Sequence, residues 1–153
     1  MKATSSHNSW SDLAPSQQEA WFGFLRFHAT TVRELDEELE RVHGLPLSSY
    51  DVLVQLARGP SGGRQMWELA DAVVLTRSGL TRLVERLERE GLVERCRAED
   101  DARRVYARIT RQGRERLTEA SATHVSGIRR LFLEKLSPDQ VEMLAGAWRQ
   151  LLE

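Results

Sequence analysis

Two short amphipathic helices in tandem, followed at once by two short strands, constrain this chain more than any other feature of its sequence. Glu68-Leu69-Ala70-Asp71-Ala72-Val73-Val74-Leu75 turns Leu69 and Val73 to one face, with small Ala70 beside them to let another helix cross closely. The next helix spans 76–90 with almost no linker. Thr76 is a good N-cap, Leu80, Leu83, Val84 and Leu87 form one apolar stripe, and Gly91 is a natural stop. Two short strands then follow at 92–97 and 105–109. Between them lies Glu99-Asp100-Asp101-Ala102-Arg103-Arg104, too long and too charged for a tight turn. A helix pair and a hairpin in this order read as a winged helix-turn-helix, so the expected fold is mostly α with a small β wing.

The polar face of the second helix shows what such a lobe can do. It presents Thr76, Arg77, Ser78, Thr81, Arg82 and Arg86, side chains that are long or hydroxylated and suited to base edges and phosphates. A helix of this kind fits the major groove, leading with its N-terminal end. Arg103 and Arg104 at the hairpin tip reach toward an adjacent minor groove, and Asp101 is spaced to hold the Arg103 guanidinium in a bidentate pair. The net charge of −1 is uninformative, but its distribution is not. Residues 64–116 carry 13 Lys/Arg against 10 Asp/Glu, whereas the flanks carry nine against 13. The positive excess lies where phosphates would be met.

The flanks are helical. Residues 1–14 are polar and expected to be flexible, and Pro15 suits a first helical turn. Trp21, Phe24, Leu25, Phe27, His28, Val32, Leu35, Leu39 and Val42 recur at helical spacing before Gly44. Ser48 is expected to cap a second helix, with Asp51 completing a capping-box variant. The loop at 59–63 is Gly-rich but lacks the lysine and hydroxyl of a phosphate-binding loop. Thr110 caps a fifth helix expected to run to about residue 135, and Ser137-Pro138-Asp139-Gln140 opens a sixth. The expected organisation is thus a flexible terminus (1–14), a dimerisation helix (15–47), a DNA-binding lobe (48–109) and C-terminal dimerisation helices (110–153). Leu117, Ile128, Phe132, Leu136, Val141, Leu144 and Trp148 are more apolar positions than a terminal helix pair needs against a small lobe. A dimer core explains them; a core within one chain is the alternative. Trp21, Phe24, His28, Tyr50 and Trp67 are candidates for a small-molecule pocket, in which His28 is the titratable member, although aromatic residues at helical spacing also serve as plain core.

Several classes drop out. Cys96 is the single cysteine, so one chain forms no disulfide, and the four histidines are scattered without metal-ligand spacing. No signal-like or membrane-length apolar run occurs, so the chain is expected to be cytoplasmic. No nucleophile–base set or Gly-rich cofactor site appears, so neither an enzyme nor a cofactor is expected.

The block from 66 to 110 resembles the MarR (multiple antibiotic resistance regulator) family of bacterial transcription factors. The matching words are Glu68-Leu69-Ala70, Leu75-Thr76 leading to Leu80-Thr81-Arg82-Leu83-Val84, Leu87 followed by Gly91-Leu92-Val93, and Asp101-x-Arg103 leading to Ile109-Thr110 and Gly113. The resemblance implies a homodimer whose first, fifth and sixth helices intertwine, a lobe on each side that binds double-stranded DNA, and in many members a small anionic or phenolic effector. It implies a transcriptional regulator, most simply a repressor on a pseudo-palindromic operator. A protein-interaction or antirepressor module on the same fold, without DNA binding, is the alternative. Two positions depart from the family's pattern: Trp67 stands where a capping Ser or Thr is usual, and Ala102 where the first of two wing arginines is usual.

Overall fold

A computed structural model describes residues 9–60, 63–73, 76–97 and 105–153, with Arg77 and Arg97 described by their backbone alone. The helices are α1 (Pro15–His43), α2 (Leu47–Arg58), α3 (Met66–Ala72), α4 (Arg77–Arg89), α5 (Arg111–Leu131) and α6 (Pro138–Leu152). The strands are β1 (Arg64–Gln65), β2 (Val93–Arg97) and β3 (Val105–Ile109), joined as one antiparallel sheet in the order β1-β3-β2. The chain divides into two compact units, one reaching to Glu34 and the other running from Leu35 to Glu153. The division falls inside α1. The reason is burial: Leu35 and Leu39, in the last turns of α1, belong to the core of the second unit.

In the first unit a short element precedes α1. Trp10–Asp12 is a 3-10 turn in which the Ser9 amide donates to Asp12 Oδ2 (2.8 Å). Gln18 Nε2 donates to the Leu13 carbonyl (2.9 Å), and the Trp10 ring lies 4.9 Å from that of Phe22.

The core of the second unit is built from Leu39, Leu45, Val52, Leu53, Leu56, Leu69, Leu80, Val84, Leu87, Val93 and Ala107, all essentially inaccessible. The stripe read along 80–87 and the expected Leu69 are thus where the spacing put them. Two other expectations shift. α2 begins at Leu47 with Pro46 at the N-cap, and its first amide is met not by Ser48 but by Asp36, whose Oδ1 accepts from the Leu47 amide (2.7 Å). α5 ends at Leu131, short of residue 135, where a 3-10 turn (Leu133–Lys135) takes over.

β1 is an element the sequence reading did not include. It pairs Arg64 with Ala107 and Gln65 with Tyr106, and Arg64 Nε donates to the Gln55 carbonyl (2.9 Å). Gly63 leads into it with φ +93°, and a Cβ there would lie 2.6 Å from the Ala107 carbonyl oxygen, so only glycine lets the strands meet. Gly113 serves a similar close approach: α5 sits so near the Leu92 carbonyl that no Cβ fits between them. Thr110 completes that corner, its hydroxyl donating to the Gly91 carbonyl (2.7 Å) and accepting from the Gly113 amide (3.0 Å). At α6 the expected capping box is complete: Ser137 Oγ accepts from the Gln140 amide (3.3 Å) and Gln140 Oε1 from the Ser137 amide (2.8 Å).

Candidate nucleic-acid interface

α4 is the element that faces outward with the nominated residues. Its start is fixed by Thr76, whose Oγ1 accepts from the Gly79 amide at 3.2 Å. Its inner stripe, Leu80, Leu83, Val84 and Leu87, is buried, so the helix cannot rotate about its axis without exposing it. Thr76, Ser78, Thr81 and Arg82 consequently stand on the solvent side near the N-terminal end. Arg77 opens the helix. This end also concentrates the free amides of the first turn, which favour an anion.

α3 supports α4 from beneath, with Leu69 and Ala70 both buried. The missing hydroxyl at position 67 is replaced in an unexpected way. Glu68 accepts from the Gln65 amide (3.0 Å), which is half of a capping box, and the Trp67 indole donates to Gln65 Oε1 (3.1 Å). The sequence signal was Glu68 itself, three residues after a polar residue.

Arg86 is placed differently from Arg82. Its Nη2 donates to the buried Ser49 Oγ (2.5 Å) and its Nε lies 3.9 Å from Glu90. It ties α4 to α2, whereas Arg82 stands clear on the exposed face. Next to it the last turns of α4 grip the hairpin. Arg95 of β2 meets Glu88 Oε2 with Nε (2.8 Å) and Nη2 (2.7 Å), and its Nη1 lies 3.7 Å from Glu85. β2 and β3 pair in the register Val93 with Ile109 through Arg97 with Val105, and Arg108 lies 3.5 Å from Glu94 across them. Asp101, Ala102, Arg103 and Arg104, nominated at the wing tip, lie outside the described residues.

The nominated pocket residues fall in both units. Trp21, Phe24 and His28 form an exposed row on α1, with ring centroids 6.2 Å and 6.1 Å apart in sequence. Tyr50 is buried in the second unit, its ring 4.5 Å from His124 and its hydroxyl 3.3 Å from Ser121 Oγ. Trp67 is exposed. His124 was missed, because nothing in its spacing marks it. Burial lowers its pKa below the usual histidine value, and its Nδ1 is buried without a hydrogen-bond partner among the described residues.

The nominated interface residues also separate. Leu117 and Ile128 pack against the second unit's own core. Phe132, Leu136, Val141 and Leu144 are half-buried, and Trp148 is exposed. Cys96 is half-buried opposite Tyr106. Among the described residues no helix is long and apolar enough to cross a membrane, and no group of His, Cys, Asp and Glu could hold a metal ion.

Comparison with known proteins agrees with this geometry. A model of the MarR family matches residues 43–104. The chain is 32% identical over 103 residues to an uncharacterised HTH-type transcriptional regulator of Bacillus subtilis, YkoM, covering 67% of this chain and 64% of YkoM. It is 33% identical to Sco3205, a MarR family transcriptional regulator from Streptomyces coelicolor solved in complex with DNA, with a TM-score of 0.85 and 92% of each chain covered. It is 25% identical to CouR from Rhodococcus jostii RHA1, solved bound to p-coumaroyl-CoA, with a TM-score of 0.72 over 85% of this chain and 90% of CouR.

Proposed function

The chain belongs to the MarR family of transcriptional regulators, and we propose that it represses transcription as a homodimer that lays α4 of each subunit in the major groove of a two-fold operator. The observation that carries this reading is the division of α4: Leu80, Leu83, Val84 and Leu87 are buried while Ser78, Thr81 and Arg82 stand exposed beside the helix N-terminus. A likeness to a regulator solved with DNA supports it. Arg86 is better read as a strut to Ser49 than as a DNA contact.

The roles differ by position. Arg82 reads a guanine edge, Arg77 meets a phosphate, and Arg103, supported by Asp101, reads groove shape and potential from the wing, with Arg104 beside it. Two recognition helices on one face of the duplex set the half-sites roughly 10 base pairs apart, centre to centre. The exposed row Trp21, Phe24 and His28 is the surface we propose for a small anionic or phenolic effector; buried Tyr50 leaves that set.

Selection of bound fragments from the source genome, followed by titration at several salt concentrations, tests the reading. Arg82→Ala is expected to cost on the order of 1–3 kcal/mol and to relax preference at one base position. Arg103→Ala is expected to weaken all sequences alike and to reduce the salt slope by about one. If the parent retains no fragment, the interaction-module alternative replaces this one. If both variants bind like the parent, the surface is wrong.

A further inference from the structure

We propose that Glu88 is a positioning residue for DNA binding: its carboxylate locks β2, and so the wing, to the recognition helix. The proposal rests on the DNA-binding reading above. It starts from the sheet. β2 is an edge strand, since the strand order is β1-β3-β2. The Thr110 amide donates to the Leu92 carbonyl (3.1 Å), which fixes the phase of the ladder. With Val93 opposite Ile109, the amides of Glu94 and Cys96 face β3 and those of Val93, Arg95 and Arg97 face away. An outward amide on an edge strand has no partner within its sheet.

Glu88 supplies one. The Arg95 amide donates to Glu88 Oε1 (3.3 Å), while Nε and Nη2 of the same residue reach Glu88 Oε2 at 2.8 Å and 2.7 Å. One carboxylate therefore holds both the backbone and the side chain of one strand residue. A guanidinium–carboxylate contact alone swivels with two long side chains and fixes little. A backbone donor added to it fixes where the strand itself lies. Glu85, one turn earlier, keeps the guanidinium from turning away, at 3.7 Å from Nη1. Glu88 itself sits in the last turn of α4, at the opposite end from Thr76 and six residues beyond Arg82. A two-element reader gains affinity only if helix and wing are already set at the angle the grooves require.

The sign of one substitution separates this role from the alternatives. Glu88 is an anion on the element that approaches a polyanion. By charge alone, removing it should tighten binding. If Arg95 were itself a phosphate contact, freeing it from Glu88 should also tighten binding. Only a positioning role makes the loss of Glu88 weaken it.

The experiment titrates the full-length parent, Glu88→Ala, Glu88→Gln, Arg103→Ala and Glu88→Ala/Arg103→Ala against one selected DNA fragment across a salt series, with thermal melts as folding control. Glu88→Ala is expected to bind about three- to tenfold more weakly, with a salt slope lower by about one. Glu88→Gln, whose amide oxygen still accepts from the Arg95 backbone, is expected to recover most of the affinity; it also carries the test should the alanine variant melt early. Adding Glu88→Ala to Arg103→Ala is expected to cost less than about twofold, because the wing contact is already gone. Equal or tighter binding by folded Glu88→Ala overturns the proposal and leaves the DNA-binding reading intact. So does full additivity in the double variant. Failure of the parent to bind any fragment overturns both.

Discussion

His124 contributes to the pH dependence of stability through burial. Its ring rests 4.5 Å from that of Tyr50, and its Nδ1 is buried with no hydrogen-bond partner among the described residues. Burial favours the neutral imidazole, so the folded pKa lies below the usual value. The unfolded chain takes up a proton as the pH falls through about 6.5, while the folded chain resists it. Below that pH the unfolded state holds more protons, and stability falls with the pH; above it the contribution is fully present. His124→Phe keeps a ring against Tyr50 and removes both the proton and the orphaned nitrogen. Melting curves are expected to show an equal or higher midpoint at pH 7.5 and a shallower decline toward pH 5.5 than the parent. An unchanged decline would mean that another group titrates.

The elements divide into those whose signals are local and those whose signals come from elsewhere in the fold. The α3–α4 pair was legible because burial selects one face, and that face is written as Leu69 and then Leu80, Leu83, Val84 and Leu87. The caps at Thr76, Thr110 and Ser137 were legible for the same reason: donor and acceptor lie within three residues. β1 was not, since two residues cannot display a period. Nor was the cap of α2, where Asp36 reaches across from α1, eleven positions before Leu47. Arg86 is a related case. Its place on the shoulder of α4 suits a groove, and nothing local reveals Ser49 as its partner. The α2 cap gives a paired test at this scale. Asp36→Ala is expected to cost about 1 kcal/mol by denaturant unfolding, as loss of a helix cap does. Ser48→Ala, at the exposed position the local pattern favoured, is expected to change little. Equal losses at both positions, or a loss at Ser48 alone, would restore the local cap.

At the scale of the whole molecule the question is what covers its apolar surface. α6 leaves Leu152, Met143 and Leu151 exposed at 84%, 74% and 70%, and the first unit separately exposes Trp21, Phe22, Phe24, Leu25 and Phe27. Surface of this kind marks an interface, and the homodimer proposed above gives it an occupant. Leu117, nominated for the interface, and the exposed residues of α6 then predict different failures. Leu117 packs on the core of the second unit, so Leu117→Glu is expected to unfold the lobe. Met143→Glu/Leu152→Glu changes only exposed positions, so it is expected to separate the subunits while helicity and a cooperative melt of the lobe persist. Sedimentation at micromolar concentration should give about twice the 17.5 kDa chain mass for the parent and a mass near that of one chain for the double variant. Affinity for a two-fold operator should fall with the mass, because the second half-site no longer binds as part of the same particle. A double variant that sediments like the parent would place the interface elsewhere. A parent that is monomeric at micromolar concentration, yet protects both half-sites of its operator in a footprint, would show that the subunits meet only on DNA and that no second copy covers the apolar face of α6 in the free protein.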